Sequence, residues 1–153
     1  MKISQFLNKN SIIADLQATD KKGVIDELAL AISKILNTSA KNTAEILMER
    51  EQLGSTGIGG GIAIPHGKLE LTEQPIVIGF GLSQRGVEYD SLDNKPVHIF
   101  FVLLTSENST GGHLKVLAQI SKLLKMDEFK KGLRTAKSVD DIFEIILEKD
   151  EDF

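Results

Sequence analysis

Residues 51–67, EQLGSTGIGGGIAIPHG, differ in character from the rest of the chain. Glycine occupies positions 54, 57, 59, 60, 61 and 67. The apolar residues Ile62–Ile64 predict a short strand, and Pro65, which lacks an N–H and cannot continue a ladder, is expected to end it. His66 follows at the end of this strand, and Gly67 leaves room beside its ring. The stretch therefore predicts a glycine-rich loop and a short strand that present an accessible imidazole.

The segments on either side predict helices interleaved with strands. Upstream, the patterns predict a short helix at Ser4–Leu7, a strand at Ser11–Leu16, a helix from an Asp20 cap to Leu36, and a helix from Asn42, boxed by Glu45, to about Arg50. Downstream, they predict strands Ile76–Leu82 and Val97–Leu104, helices His113–Lys125 and Asp127–Thr135, and a last helix beginning at Ser138. The two central strands have no helix between them, which indicates a mixed sheet. We expect an α/β fold, a three-layer α/β/α sandwich around that sheet.

Composition limits the classes of function. A chain of 153 residues fits one domain, which we place at residues 1–153. The absence of cysteine excludes a disulfide scaffold, a thiolate zinc site and a cysteine nucleophile. A net charge of −4 argues against nucleic acid as a partner. No apolar run approaches the roughly 18 residues that span a membrane, and the N-terminus lacks a secretory h-region, so we expect a soluble, cytoplasmic protein without membrane insertion.

The glycines do not form a nucleotide-binding motif. Gly57 and Gly59 begin a dinucleotide fingerprint, but Ile62 stands where the third glycine is needed. Gly67 and Lys68 resemble the end of a P-loop, yet Ile62 again replaces a glycine and Leu69 replaces the hydroxyl residue that holds magnesium. The histidines show no metal-ligand spacing. We therefore expect neither a cofactor nor a metal.

His66 is the most informative residue for chemistry. Imidazole is nucleophilic when neutral, and an ordinary pKa near 6.5 leaves much of it neutral in the cell. A lone histidine is structural by default, but the rigid and uncrowded setting between Pro65 and Gly67 favours a functional residue. Such a ring accepts a phosphoryl group as a nucleophile and releases it again without a metal.

His113 and His98 are the other two histidines. His113 follows two glycines at the start of a helix, where free N–H groups disfavour imidazolium and attract anions. Its spacing places it on the inward face, so it is equally well a neutral partner beside a phosphate or a histidine at the edge of the core. His98 lies within an apolar run, which favours a structural role.

The stretch Glu51–Gly67 resembles the signature of the mannitol/fructose class of enzyme IIA. These proteins are phosphocarriers of the bacterial phosphoenolpyruvate-dependent phosphotransferase system. The correspondence covers an acidic residue, a spacer, an apolar residue followed by glycine, and then Ile62 through Gly67. Residues 53–69, LGSTGIGGGIAIPHGKL, are most similar to the nitrogen-regulatory branch, IIA-Ntr.

The resemblance implies roles for three residues. His66 would carry the phosphoryl group on Nε2, received from the phosphocarrier protein HPr or its nitrogen-branch paralogue NPr. Arg50 would be the active-site arginine and His113 the second active-site histidine. Taken alone, Arg50 is simply a surface arginine favoured at the C-terminus of a helix. The protein would then act as a component of a phosphotransferase system rather than as a multiple-turnover enzyme.

Three functions remain open at the level of sequence. In the first, His66 accepts a phosphoryl group and the output is regulatory binding of target proteins. In the second, a sugar-specific IIA passes the group to a IIB domain of a fructose or mannitol permease. In the third, His66 is never phosphorylated and the glycine-rich rim only docks a partner. The sequence does not determine the donor, the downstream target, the oligomeric state or whether His113 is essential.

Overall fold

The computed structural model describes residues 2–36, 38–71 and 74–150. A short 3-10 helix at Ile3–Gln5 opens the described chain. The strands are β1 Leu7–Ile13, β2 Gly57–Gly59, β3 Ile62–Ala63, β4 His66–Lys68, β5 Ile76–Val87 and β6 Val97–Thr105. The helices are α1 Lys21–Ser33, α2 Ala40–Gln52, α3 Thr110–Leu123, α4 Asp127–Thr135 and α5 Val139–Asp150.

The strands form one mixed sheet in the order β1-β5-β6-β3-β2. The long strands β5 and β6 pair antiparallel, whereas β1 pairs parallel with β5. On its other side β6 pairs parallel first with β3 and then, further along, with β4. This confirms the mixed sheet. It also places β4 at an edge, paired with β6 alone among the described strands.

Alternation along β6 explains the layers. Ile99, Phe101 and Leu103 belong to the core shared with α3, α4 and α5. Phe100 and Val102, which point the other way, belong to the core shared with α1 and α2. Because side chains alternate along a strand, a strand that is apolar on both sides must be covered on both faces. The three-layer α/β/α sandwich is thus confirmed.

Helix starts follow from their caps. The Asp20 side chain accepts a hydrogen bond from Gly23 N at 2.8 Å, and Ser138 Oγ accepts one from Asp141 N at 3.1 Å, as expected. The predicted start of α2 is wrong. Ser39, not Asn42, is its N-cap, and its hydroxyl accepts a hydrogen bond from the N–H of Asn42. The helix therefore begins earlier, at Ala40.

The N-terminal strand and the strand before His66 also differ from expectation. The strand β1 begins at Leu7 rather than Ser11. The predicted strand Ile62–Ile64 ends at Ala63, and His66 is the first residue of β4 rather than a residue beyond the end of a strand. Pro65 explains the break, because it has no N–H to donate, while its carbonyl accepts a hydrogen bond from Leu103 N at 2.9 Å. The chain therefore stays beside β6 and resumes pairing at His66.

Candidate functional site

The His66 ring is held in one tautomer by its two neighbours. Its Nδ1 lies 2.7 Å from the carbonyl oxygen of Ile64. A carbonyl only accepts hydrogen bonds, so Nδ1 carries the ring proton. The other nitrogen, Nε2, accepts a hydrogen bond of 3.3 Å from Nε of Arg50. Both contacts assign the same neutral form, with an unprotonated and nucleophilic Nε2 that faces a permanent positive charge.

Arg50 lies in the last turn of α2, and its side chain extends from that helical layer to the edge strand β4. Besides the contact with His66, its Nη1 donates a hydrogen bond of 2.8 Å to the carbonyl of Gly54. Gly54 follows the helix at φ +141°, a conformation that favours glycine. The guanidinium is therefore held on two sides while it retains planar N–H donors suited to phosphoryl oxygens.

His113 lies on the first turn of α3, which begins at Thr110 rather than at His113. Its side chain is buried, and Nδ1 is 2.7 Å from Oγ1 of the fully buried Thr105. The ring meets that of His66 edge to face, with centroids 5.3 Å apart and an interplanar angle of 63°. The imidazoles from β4 and α3 thus share one site, and the Thr105 contact leaves Nε2 of His113 outside that bond.

These side chains line an open cleft of about 520 Å³. Its walls are formed by Ile46, Glu49, Arg50, Leu53, His66, Gly67, Lys68 and His113. At its rim, Lys68 Nζ donates a hydrogen bond of 2.9 Å to Oγ1 of Thr110. Leu53 is 85% exposed and Leu114, next to His113, is 62% exposed. A half-buried imidazole that opens into a cleft with an apolar rim is accessible to another macromolecule.

Burial and charge keep both rings neutral. Burial lowers the pKa of His66 below its ordinary value of 6.5, and the Arg50 guanidinium lowers it as well, against opposing effects of the Ile64 carbonyl and Glu51. Burial also lowers the pKa of His113, and a positive charge on Lys68, or on His66 when that ring is protonated, acts in the same direction. At neutral pH the site therefore holds two uncharged imidazoles beside a cationic guanidinium, which suits an incoming anionic group.

The three candidate residues, His66, Arg50 and His113, lie together although they come from β4, α2 and α3. His98 lies elsewhere on β6, where its Nδ1 bonds to the carbonyl of Ser83 at 2.9 Å. That contact agrees with a structural role for His98. Within the ranges that the structure describes, no three histidine or acidic side chains cluster in a way that could hold a metal ion.

Sequence reasoning assigned no role to three contributors to the site. The carbonyls of Ile64 and Gly54 hold His66 and Arg50, and backbone acceptors leave no signal in residue type. Glu51 is the third, a carboxylate that is 6% exposed directly after Arg50. Its signal was available, because Thr43, Leu47 and Glu51 recur every four positions and lie on one buried face of α2.

Fold and site together define a class: an α/β/α sandwich with a neutral, accessible histidine at a sheet edge, paired with an arginine. The family model described as "Phosphoenolpyruvate-dependent sugar phosphotransferase system, EIIA 2" matches residues 5–149. The chain belongs to this family.

Relatives include both regulatory and sugar-specific proteins. The fructose-specific EIIABC component of Bacillus subtilis is 39% identical over 151 residues, which are 98% of this chain but 24% of that protein. The chain thus spans about a quarter of that relative's length. The nitrogen regulatory protein of Bradyrhizobium diazoefficiens is 33% identical over 146 residues and is covered to 95%, as is this chain.

Solved structures agree with the fold. Nitrogen regulatory protein IIA-Ntr from Neisseria meningitidis superposes with a TM-score of 0.87 at 33% identity, covering 94% of this chain and 98% of that one. A complex of IIA-mannitol with phosphorylated IIB-mannitol from Escherichia coli superposes with a TM-score of 0.75 at 19% identity, covering 93% of this chain and 99% of that one. Across residues 2–36, 38–71 and 74–150, no helix has the length and hydropathy needed to cross a bilayer.

Proposed function

We propose that this protein is a phosphocarrier that accepts a phosphoryl group on Nε2 of His66 from a phosphohistidine donor protein of the HPr or NPr type. The observation that carries the proposal is the pair of contacts that assigns the tautomer of His66. Its proton is on Nδ1, bonded to the Ile64 carbonyl, and its lone pair on Nε2 faces Arg50. A neutral imidazole with one nitrogen pre-set as nucleophile needs no separate general base.

The transfer exchanges one P–N bond for another. Nε2 of His66 attacks phosphorus, the bond to the donor's histidine breaks, and its electron pair returns to the donor's ring. The Arg50 Nε–H, which now bonds to the lone pair of Nε2, must shift to a phosphoryl oxygen as that lone pair is used. The ring keeps its proton on Nδ1, hydrogen-bonded to the Ile64 carbonyl. This hydrogen bond stabilises the positive charge of the phosphorylated imidazole. Arg50 and His113 then contact the group as it transfers, since positioning and charge stabilisation dominate phosphoryl transfer.

We place the output in nitrogen regulation. The similarity to nitrogen regulatory proteins supports this, because it extends over nearly the whole length of those proteins. Phosphorylation adds negative charge to an open cleft and changes which target proteins dock there. In this proposal residues 1–153 form one EIIA type-2 domain that acts in the cytoplasm.

A second candidate is a fructose-specific IIA that passes the group to a IIB domain. The 39% identity to the corresponding part of a fructose-specific EIIABC component favours it. The two candidates share the chemistry of His66 and differ in the acceptor. Incubation of the phosphorylated protein with a purified fructose IIB domain separates them, because a sugar-specific IIA transfers its phosphoryl group to IIB and a regulatory one retains it.

The test of the carrier function is intact-mass measurement after incubation with phosphoenolpyruvate, enzyme I and an HPr-type protein. We expect a gain of one phosphoryl group, mapped as acid-labile phosphate to a peptide that contains His66. His66→Ala should gain none. His98→Asn, which keeps a donor for the Ser83 carbonyl, should gain one. Labelling that persists in His66→Ala would show that another residue accepts the phosphoryl group. Wild-type protein that no donor labels would show that the protein only binds partners.

A further inference from the structure

Glu51 is a buried carboxylate that the transfer chemistry does not use. Its side chain is 2% exposed and pairs with Lys21 Nζ at 3.0 Å. Oε1 also accepts a hydrogen bond of 3.0 Å from the N–H of Thr56, and Oε2 accepts one from the Thr56 hydroxyl. A buried charge is stable only with such partners, so Glu51 fixes Thr56 strongly through both its backbone and its side chain.

Tyr89 holds the same segment from the other side. Its ring is 1% exposed, and its hydroxyl is 3.1 Å from Oγ1 of Thr56. Its carbonyl accepts a hydrogen bond of 3.2 Å from Ser55 Oγ, and Lys21 Nζ lies 4.6 Å from its ring centroid. Residues 55 and 56 are thereby fixed between Glu51 and Tyr89.

The fixed segment leads directly to the site. Gly54 precedes Ser55, and its carbonyl is the acceptor that holds Nη1 of Arg50 at 2.8 Å. Arg50 and Glu51 are consecutive residues of α2, so the end of the helix and the loop after it form one connected set of contacts. In it, Glu51 holds Thr56, the chain carries that constraint back to Gly54, and the Gly54 carbonyl orients the guanidinium that meets His66.

We propose that Glu51 is a positioning residue for Arg50. It acts through Thr56 and the Gly54 carbonyl, not by contact with the phosphoryl group, and the ion pair with Lys21 holds its carboxylate in place. The inference rests on the proposed phosphoryl transfer to His66. It assigns to the Lys21–Glu51 pair a task beyond stability, namely to keep Nε of Arg50 directed at Nε2 of His66.

The test compares Glu51→Gln with Glu45→Gln. Glu45 is an exposed glutamate on the same helix, so the control removes the same charge without the buried contacts. The first readout is the ¹⁵N NMR signal of Arg50 Nε–H in the unphosphorylated protein. The second is single-turnover transfer from the phosphorylated HPr-type donor, measured against donor concentration.

For Glu51→Gln we expect the Arg50 Nε–H signal to move toward that of an exposed arginine. The maximal transfer rate should fall about tenfold to a hundredfold, because a small misplacement of a positioned group costs that much. The donor concentration at half-maximal rate should change less than twofold, since the docking surface is intact. Glu45→Gln should match the wild type in both readouts.

A second pair of variants tests the inference independently of whether Glu51→Gln folds. Thr56→Val removes the hydroxyl at nearly constant shape, whereas Thr56→Ser retains it. We expect Thr56→Val to shift the Arg50 Nε–H signal in the same direction as Glu51→Gln and to slow transfer. Thr56→Ser should resemble the wild type in both readouts. If Glu51→Gln does not fold, the two Thr56 variants decide whether the positioning role holds.

An unchanged Arg50 signal, or a transfer rate equal to wild type, in folded Glu51→Gln or in Thr56→Val overturns the inference. A rate loss accompanied by an unmoved Arg50 signal also overturns it, because Glu51 would then act by another route. Failure of the proposed function looks different, since the wild-type protein itself would not be labelled. The Arg50 signal needs no donor and still tests the positioning role in that case.

Discussion

Arg50 Nε and the Ile64 carbonyl bind opposite nitrogens of the His66 ring, at 3.3 and 2.7 Å. The carbonyl retains the proton on Nδ1, and the guanidinium faces the lone pair on Nε2. The edge strand thus leaves Nε2 as the nucleophilic nitrogen before any donor arrives. In the proposed transfer, the arginine that would attract the phosphoryl group already touches the atom that would bind it.

The tautomer is the first prediction. At a pH one to two units above 6.5, ¹⁵N NMR of the His66 ring should show a protonated Nδ1 and an unprotonated Nε2, because only Nδ1 can donate to the Ile64 carbonyl. After incubation with donor, the phosphorus should couple to Nε2. A ring that is protonated on Nε2, or a phosphoryl group on Nδ1, would contradict the site geometry.

Removal of the Arg50 charge should change both rate and titration. In Arg50→Gln, loss of the guanidinium should lower the transfer rate about a hundredfold or more. The guanidinium lowers the pKa of His66, so the pKa should rise toward 6.5 in the variant. Since the unprotonated ring is the nucleophile, the acid limb of the rate profile should shift to higher pH. NMR titration of the His66 ring checks the direction.

Arg50→Lys is the matched variant for that prediction. It keeps the positive charge but not the planar donors, so the pKa of His66 should stay below 6.5 while transfer remains slow. A His66 pKa that falls in Arg50→Gln would contradict the electrostatic effect of the guanidinium. Full transfer in Arg50→Lys would show that a positive charge without the planar donors is enough for the transfer.

The contributions of the two ring nitrogens of His113 can be tested separately. In His113→Asn the amide takes the place of Nδ1 and can retain the bond to Thr105, but nothing remains at Nε2. We expect thermal stability close to wild type and transfer slowed about tenfold to a hundredfold. His113→Gln, whose amide reaches further, should lose less. Wild-type transfer rates in His113→Asn would identify His113 as a residue of the core edge only.

The sequence predicts the fold better than the site. The apolar runs of β5 and β6 and the caps at Asp20 and Ser138 are local signals. Each element begins where expected, although β5 continues past the predicted end at Leu82 to Val87. The strand β4, with the residues His-Gly-Lys, has little intrinsic strand preference, and it exists because Leu103 and its neighbours on β6 pair with it. Non-local pairing of this kind leaves no pattern in the strand itself.

The site depends on non-local geometry to a greater degree. Residue type and the family resemblance suggested His66, Arg50 and His113, but not how their atoms meet. The contact between Arg50 and Gly54 and the contacts of Glu51 depend on the path of the loop after α2. That path is set by Tyr89, which lies over 30 residues further along the chain, so no local pattern predicts it.

Gly67 gives a prediction about packing beside the site. A Cβ built at Gly67 would lie 2.7 Å from Cγ2 of Ile46 on α2, too close for either atom to stay in place. Gly67→Ala should therefore destabilise the protein by about 1–3 kcal/mol and shift β4, which carries His66. Chemical denaturation measures the first effect, and single-turnover phosphoryl transfer measures the second.

Ile46→Ala provides the control, because it removes the methyl group that Gly67→Ala would meet. In that background Gly67→Ala should be neutral or stabilising by about 0.4–1 kcal/mol, since alanine reduces the freedom of the unfolded chain and Gly67 does not need a positive φ. The double-mutant cycle thus predicts a change of sign, which a mere loss of glycine flexibility cannot produce. An equal loss of stability in both backgrounds would mean that α2 does not set the position of β4.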